Sequence, residues 1–387
     1  MKVVYVTHNG VGTALVRSQV LPYLRELLQA GVSIELVTFE RGAPPREPAG
    51  FPAERWHAAL ARPGGGLLAK LRDTLSGVGL VFSLLQGASI VHARSYLPAG
   101  IAWVARLLRR RPYVFDMRGF LPDEYLEGGR WTAADPRYRL LRFAERWLLR
   151  DAAAIVVLTE QGKIRLRTER RYASAVRATP ISVIPCAVDL DRFSAGDVRS
   201  ATPTLVYCGS VGMWYALDEM LQVFAAARAA VPALRFLVLN IGQHELIHER
   251  VRAHGLTEAV EVRAATFEEV PGLLAGAHVG ICLLRQASSK LGSSPIKVAE
   301  YLAAGLPVIA NAGQGDTDAL LRRYSAGHVM EGYGESEIAA AAAALVSLLG
   351  DATARRNARE LAEREYSAVR AAEIYLRIYE EIARRAG

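Results

Sequence analysis

Short apolar segments alternate with longer amphipathic segments along the whole chain. Lys2–Thr7, Ile34–Phe39 and Tyr113–Phe115 are almost entirely apolar, which is typical of strands buried on both faces of a parallel sheet. Between such strands lie stretches with helical spacing, for example 15–30. The same alternation starts again at Thr204–Cys208. The pattern therefore predicts two doubly wound α/β domains.

The remaining elements follow the same logic. Residues 41–66 are rich in Pro, Gly and Arg and are predicted as a loop, with Gly64–Gly66 its most flexible point. An Ala-rich helix at 338–349 and a long charged helix at 352–385 close the chain. Further strands are predicted at 89–93, 152–158, from 181 onwards, and at 235–240, 260–262, 279–283, 307–310 and 328–330.

The most informative stretch is residues 293–311, SSPIKVAEYLAAGLPVIAN. Ser293 and Ser294 are residue types that cap helix N-termini, and proline fits the first turn that follows. Lys297 and Glu300 are three residues apart and therefore share one face of the predicted helix. Gly305 and the following proline end the helix, and PVIA reads as a buried strand.

This arrangement predicts a nucleotide site. The first turn, around Ile296, offers free N–H groups and the positive end of the helix dipole, and Lys297 adds a cation, so the turn suits a phosphate. Glu300, one turn further on, suits the vicinal hydroxyls of a ribose as a hydrogen-bond acceptor. The alternative from the same pattern is a well-capped core helix with a surface Lys–Glu pair.

Two glycine-containing loops follow predicted strands. In HNGVG, Gly10 and Gly12 allow close backbone approach to a phosphate. In the loop that begins at Gly209, Ser210 and Gly212 with their backbone N–H groups are candidates to cradle a diphosphate. The alternative for each loop is a tight turn between a strand and a helix.

A third candidate region, DMRGFLPDE, follows the strand Tyr113–Phe115 at the position where α/β sheets bind ligands. Arg118 is a candidate for phosphate or acceptor contact, and Asp116 is a candidate to face an acceptor hydroxyl and to act as the base if the reaction uses one. Asp123 and Glu124 are candidates to face acceptor hydroxyls. The alternative is an ion pair that holds the loop.

Composition restricts the partners. The net charge of +8, from 47 Lys and Arg against 39 Asp and Glu, suits an anionic ligand or an anionic membrane surface. The segment Arg137–Arg150 combines arginines with aromatic and aliphatic residues, so peripheral membrane contact is one hypothesis and a solvated face on a packed helix the other. Three well-separated cysteines and the absence of a signal-peptide pattern predict a cytoplasmic protein, and no nucleic-acid partner is expected.

One motif competes with the nucleotide site. His244 to His248 reads H-E-x-x-H, which on a helix places two histidines on one face where they could bind zinc, and His254 stands where an extended motif has its third histidine. Val251 occupies the position where the extended motif needs glycine. A zinc hydrolase therefore remains as a remote alternative.

Taken together, these motifs resemble glycosyltransferase family 4, the retaining enzymes of the GT-B fold that use sugar nucleotides. The resemblance is carried by HNGVG, DMRG, IPCAVDLDRF, YCGSVG and SSPIKVAEYLAAGLPVIA. Glu300 matches the second glutamate of the family's E-x7-E motif, whereas the first falls on Gly292.

The resemblance implies two Rossmann-like domains that face each other across a cleft. Residues 1–195 would form an acceptor-binding domain, on which the last helix (about 367–387) packs back, and 196–366 a nucleotide-sugar-binding domain. It implies retention at the anomeric carbon, a UDP- or GDP-linked donor, and neither cofactor nor essential metal. It also implies Arg94 as an acceptor contact. A nucleotide-sugar epimerase and an inactive binding subunit of the same fold are the alternatives.

Overall fold

The chain forms two units in this computed structural model, which describes residues 1–42, 48, 50–61, 67–85, 90–193 and 200–386. The first unit comprises Met1–Pro185 together with Ala368–Gly387, and the second comprises Cys186–Ser367. Each unit contains its own parallel sheet, covered by helices and filled with buried aliphatic and aromatic side chains.

The first unit is built on a seven-stranded parallel sheet of order β3-β2-β1-β4-β5-β6-β7. Its strands are β1 (Lys2–Thr7), β2 (Ser33–Arg41), β3 (Trp56–Ala61), β4 (Ile90–Arg94), β5 (Tyr113–Asp116), β6 (Ala154–Val157) and β7 (Ile181–Val183). Its helices are α1 (Ala14–Gln19), α2 (Leu21–Gln29), α3 (Leu67–Leu84), α4 (Tyr96–Arg109), α5 (Leu121–Glu127), α6 (Pro136–Asp151), α7 (Glu160–Thr168) and α8 (Arg170–Ala173).

The second unit is built on a six-stranded parallel sheet of order β10-β9-β8-β11-β12-β13. Its strands are β8 (Thr204–Cys208), β9 (Arg235–Leu239), β10 (Val260–Arg263), β11 (Val279–Cys282), β12 (Val308–Asn311) and β13 (Gly327–Met330). Its helices are α9 (Leu217–Ala230), α10 (His244–Ala253), α11 (Val270–Gly276), α12 (Ile296–Ala303), α13 (Thr317–Tyr324), α14 (Glu335–Leu348) and α15 (Ala352–Glu365). The last helix, α16 (Ala368–Ala386), belongs to the first unit and packs against α2.

Two predicted helices are interrupted. The helix predicted at 15–30 divides at Val20, because Pro22 cannot continue the hydrogen-bond ladder of a preceding helix and instead occupies the first turn of α2. The helix predicted at 352–385 divides at Tyr366, whose carbonyl accepts a hydrogen bond from the Val188 N–H at 2.7 Å. Ser367 then forms a bridge with Val188. A contact distant in sequence therefore breaks the long helix.

One strand was not predicted. β3 lies within the segment assigned to a loop, where Trp56 pairs with Leu36 on β2 and the Trp56 indole N–H donates to the Thr38 hydroxyl at 2.8 Å. Gly64–Gly66 and the predicted domain boundary at 195/196 lie outside the described residues. The segment that follows Pro185 belongs to the second unit, where the Val188 N–H donates a hydrogen bond to the Tyr366 carbonyl.

Among the described helices, no single one combines the length and the apolar character needed to cross a bilayer. The pair α14 and α15 meets that test only when the two are taken together, and they are bent by 97°.

Candidate functional site

The candidate site of the second unit lies at the switch point of its sheet. β8 and β11 are neighbours, and the strand order runs outward in opposite directions from them. Open α/β sheets bind ligands in the crevice beyond the carboxyl ends of such a strand pair. β8 leads into the loop Gly209–Gly212, and β11 leads through a short 3-10 turn at Ser288–Gly292 into α12.

Tyr301 fixes α12 against these two strands. Its ring is fully buried, and its hydroxyl accepts a hydrogen bond from the Cys208 N–H at 2.7 Å. A side chain at Gly280 on β11 would collide with the same ring. The glycine therefore lets the helix approach the sheet, and the first turn of α12 lies beside the end of β8.

Lys297, on that first turn, is a buried cation. Only 5% of it is exposed, its Nζ donates to the Tyr207 hydroxyl at 2.8 Å, and it lies 3.5 Å from the centre of the Tyr215 ring. It forms no ion pair with any described residue. Burial lowers its pKa, but Tyr215 and Tyr207 more than offset this, so the pKa lies above its usual range. An ammonium group held by aromatic faces, without a counter-ion, suits an anionic ligand.

The loop after β8 is shaped around this cation. Gly209 has φ of +131°, and a side chain there would place its Cβ 2.7 Å from the Lys297 Nζ. The loop is held from the other side because Asn240 donates to the Gly209 carbonyl at 2.9 Å, and the Val211 N–H donates to Gln243 at 3.0 Å. Ser210 is exposed and Gly212 partly exposed. Asn240 and Gln243 follow a different strand, β9, and no local pattern in the sequence links them to this loop.

Glu300 lies one turn further along α12. Its side chain is partly exposed and makes no hydrogen bond or ion pair with the described residues, so the predicted surface pair with Lys297 is absent. Burial raises its pKa to about 7, although Arg192 and Lys297 oppose the shift. Arg192, which sequence reasoning also missed, lies 3.5 Å over the Phe267 ring and donates to the Phe267 carbonyl.

The predicted N-caps of this helix are wrong. Pro295 takes the N-cap position, the helix begins at Ile296, and no side chain caps it. Ser294 instead accepts the Cys186 N–H through its hydroxyl at 3.2 Å. Ser293 donates its backbone N–H to the Lys290 carbonyl. The Val298 N–H donates to the Pro295 carbonyl at 3.0 Å, and the N–H groups of Ile296 and Lys297 have no side-chain cap, so these two suit a ligand.

In the first unit, the loop Gly10–Gly12 is held by the carboxylate of Glu40 and does not form an open phosphate-binding loop. The Glu40 carboxylate accepts the Val11 N–H at 2.7 Å and the Thr38 hydroxyl at 2.6 Å. A side chain at Gly10 would collide with Glu40. Gly12 is exposed. The carboxylate occupies the Val11 amide and repels anions, which disfavours the predicted phosphate contact of Gly10.

Asp116 is sealed inside the first unit, which contradicts its predicted role as a base. It is fully buried, with Oδ1 3.3 Å from Arg118 and Oδ2 3.5 Å from His92 and 3.4 Å from the Tyr375 hydroxyl. Burial raises its pKa, but Arg118, His92 and Arg94 outweigh this and hold the pKa well below its usual range. Arg94 itself is buried and donates to Gln19 at 2.8 Å.

Asp123 also has a structural position. It is buried and pairs with Arg142, with Arg165 at 2.8 Å and with Arg171 at 3.4 Å. This network holds α5 against α6, α7 and α8, so Asp123 is not free to contact an acceptor. Glu124 is partly exposed and lies close to Gly119.

The histidine motif does not assemble a metal site. His244 opens α10 and its Nε2 lies 2.8 Å from the Asn240 carbonyl oxygen, whereas His248 is exposed and His254 contacts Asp218 at 3.2 Å. Within the described ranges, no group of three or more His, Cys, Asp or Glu side chains could hold a metal ion. The zinc-hydrolase alternative therefore loses its support.

Two parallel α/β units, with an uncapped helix and a buried lysine at the second switch point, define a two-domain α/β protein with a candidate anion site. Residues 16–187 match the family Glycosyl transferase 4-like domain, and residues 202–351 match Glycosyl transferases group 1. The chain belongs to this glycosyltransferase family.

Solved structures agree on the fold, which is GT-B. Sucrose-phosphate synthase from Thermosynechococcus elongatus is similar over 99% of each chain, with a TM-score of 0.75 and 16% identity. Anabaena HepE, solved with UDP and glucose, is similar over 98% of this chain and 100% of its own, with a TM-score of 0.70 and 14% identity.

A curated relative is the 2-deoxystreptamine glucosyltransferase of Streptomyces kanamyceticus, 28% identical over 188 residues. That similarity covers 45% of this chain and 46% of the relative, so the chain matches about half the length of that protein.

Proposed function

We propose that this protein transfers a sugar from a nucleotide-sugar donor to a hydroxyl acceptor with retention at the anomeric carbon. The second unit holds the donor and the first unit the acceptor. The observation that carries the proposal is the pair on α12: a buried Lys297 and, one turn away, a Glu300 carboxylate, neither of which forms an ion pair with another described residue. A phosphate on the first and a ribose diol on the second satisfy both groups at once.

The proposed mechanism is electrostatic. Negative charge builds on the diphosphate as the glycosidic bond breaks, and Lys297, the amides of the first turn of α12, and the loop amides of Ser210 and Gly212 stabilise it. These groups are positioned before the reaction by Tyr301 and Gly209. The acceptor hydroxyl passes its proton to the leaving phosphate, because Asp116 is buried and bound by His92, Arg118 and Tyr375.

Binding of a nucleoside diphosphate is the primary test. Thermal shift and calorimetry with UDP, GDP, dTDP and ADP, each with and without EDTA, identify the base. Stabilisation by one diphosphate that survives EDTA supports a metal-independent donor site, and we expect UDP or GDP. If no nucleotide binds, the proposal is wrong.

The products separate the remaining alternatives. Transfer with retention gives a product of the same anomeric configuration as the donor, which NMR of the glycoside reads directly. An epimerase instead converts the nucleotide sugar without any acceptor. An inactive binding subunit binds the nucleotide and gives neither product.

We also propose peripheral contact between the first unit and an anionic membrane. On α6, Leu140 and Phe143 are each 60% exposed, and Arg139 and Arg146 are exposed beside them. Apolar side chains that alternate with arginines on one helix face suit a negatively charged lipid surface. Flotation with anionic liposomes at low salt tests this contact. Equal association of wild type and a Leu140→Ser, Phe143→Ser variant would contradict it.

A further inference from the structure

The switch point of the first sheet gathers an unusual set of polar residues. β1 and β4 are neighbours there, and the strand order runs outward from them in opposite directions. The register pairs Thr7 with Arg94, and Arg94 with Asp116, so these three residues stand side by side at the carboxyl ends of β1, β4 and β5. This is the position at which parallel sheets bind ligands.

Two guanidinium groups converge on one neutral oxygen at this point. Arg94 donates to the Gln19 side-chain oxygen at 2.8 Å, and Arg118 approaches the same oxygen at 3.5 Å. Like charges held this close repel each other, and although Arg118 pairs with Asp116, the amide oxygen does not neutralise the charge of Arg94. Gln19 is partly exposed, whereas the Arg118 side chain is only 8% exposed, so the cluster lies just below the surface at Gln19.

The described residues leave the charge of Arg94 without a partner. Arg94 is 5% exposed and forms no ion pair with them. The carboxylate of Asp116, which lies beside Arg94 in the sheet, is bound to Arg118, and its other oxygen faces His92 and Tyr375. His92 adds no negative charge, and burial lowers its pKa, which keeps the imidazole neutral.

Other acidic and polar groups nearby do not complete the cluster. On the opposite side of β1, the Glu40 carboxylate is occupied by the Val11 N–H and the Thr38 hydroxyl. The Thr7 hydroxyl and the Arg94 Nε are buried without a hydrogen-bond partner among the described residues. A buried guanidinium without a counter-ion is unfavourable, and unsatisfied polar atoms beside it add to the cost.

We propose that Arg94, with Arg118 and Gln19, forms a binding site for a phosphate group, and that the acceptor carries this phosphate. A phosphate presents several oxygens to two guanidinium groups that approach one point, and its negative charge offsets that of Arg94, since Arg118 already pairs with Asp116. The identification of the phosphate with the acceptor rests on the proposed function, which assigns the acceptor to the first unit. The anion site itself rests only on the cluster.

Two variants test the site with inorganic phosphate as the probe. Arg94→Gln removes the unpaired charge. Gln19→Glu places a carboxylate between the two arginines and so supplies the missing anion from within the protein. Gln222→Glu, on the exposed face of α9, makes the same change in net charge in the other unit and is the matched control.

Calorimetry is performed on the full chain, saturated with the nucleoside diphosphate that binds it, so that the Lys297 site is filled. Wild type and Gln222→Glu are expected to bind one phosphate. In Arg94→Gln and Gln19→Glu the apparent Kd should rise about tenfold or more, as expected for the loss of a charge-assisted hydrogen bond. Gln19→Glu should also raise the thermal midpoint without phosphate, and this readout does not depend on any ligand.

The outcomes separate the two parts of the inference. Phosphate binding that is equal in wild type and Arg94→Gln, or a lower midpoint in Gln19→Glu, overturns the anion site. Phosphate that binds the free protein through Arg94 but is displaced by the nucleotide identifies the anion as the donor's diphosphate and overturns the acceptor assignment. If no nucleotide binds, the proposed function fails, whereas the midpoint of Gln19→Glu still reports on the cluster.

Discussion

Affinity for the nucleotide sugar should rise with pH through about 7, because the ribose acceptor Glu300 titrates there. Burial raises its pKa to about 7 in the free protein, against the opposing effects of Arg192 and Lys297. Only the carboxylate can accept hydrogen bonds from both hydroxyls of a diol, since the protonated acid must use one oxygen as a donor. The protonated state therefore binds the donor more weakly.

The size of the effect follows from the pKa. At pH 5.5 a group of pKa 7 is ionised in about 3% of molecules, so binding that requires the carboxylate weakens up to about 30-fold between pH 8.5 and pH 5.5. The sign is fixed because binding favours the deprotonated form and lowers the pKa. Complex formation near pH 7 accordingly releases a proton.

Calorimetry with the intact nucleotide sugar, in buffers of different ionisation enthalpy, measures both the affinity and the released proton. A nucleotide sugar is preferable to a free nucleoside diphosphate, whose terminal phosphate itself titrates near pH 6. Glu300→Gln keeps the shape of the side chain and removes the titration. We expect it to lose about 1–3 kcal/mol of binding free energy at pH 8 and to show a flat pH profile.

Two results would refute this reasoning. The first is a wild-type affinity that does not change between pH 5.5 and pH 8.5. The second is a Glu300→Gln variant that keeps the pH dependence of the wild type, which would assign the titration to another group. A 2′-deoxy donor is the matched ligand control, because it should bind wild type more weakly and Glu300→Gln with little further loss.

The remaining predictions concern the groups that hold or surround the two switch points. Lys297→Met should weaken nucleoside diphosphate binding by about 1.5–3 kcal/mol in calorimetry, since it removes the buried cation, and unchanged affinity would exclude Lys297 from the phosphate site. Gly209→Ala should lower the stability measured by urea denaturation, because a φ of +131° is strained for alanine. It should also weaken binding of the nucleoside diphosphate, because the new Cβ would collide with Lys297. The control Gly255→Ala, at φ of +67° with open space around it, should show only the backbone cost, and equal binding losses in both variants would refute the Lys297 contact. Asp123→Asn should cost about 3–5 kcal/mol of unfolding free energy, because it leaves buried arginines unpaired, and a stable variant with a selective loss of acceptor affinity would contradict the structural role.

The sequence alone predicted the fold class and the position of the main candidate site. Apolar segments at β1 and β8 are long enough and uniform enough to mark buried parallel strands, and the spacing of Lys297 and Glu300 placed both on one face of α12. These features depend on local periodicity and on the backbone preferences of a few residues, which the chain carries in adjacent positions. The family resemblance rested on the same short segments, and the matches to both family domains confirm it.

Only the tertiary structure decided what each candidate side chain does. Asp116 stands at the carboxyl end of β5, as a catalytic carboxylate does in many α/β proteins, but Tyr375 and Tyr379, more than two hundred residues away, enclose it and His92. The sequence left open whether Lys297 binds a phosphate or lies in a surface pair with Glu300, and the structure buries it against Tyr207 and Tyr215. Burial and pairing arise from contacts between distant segments, and no local pattern encodes them. The sequence therefore determined which residues stand at the strand ends, and the packing determined which of them are free to bind a ligand.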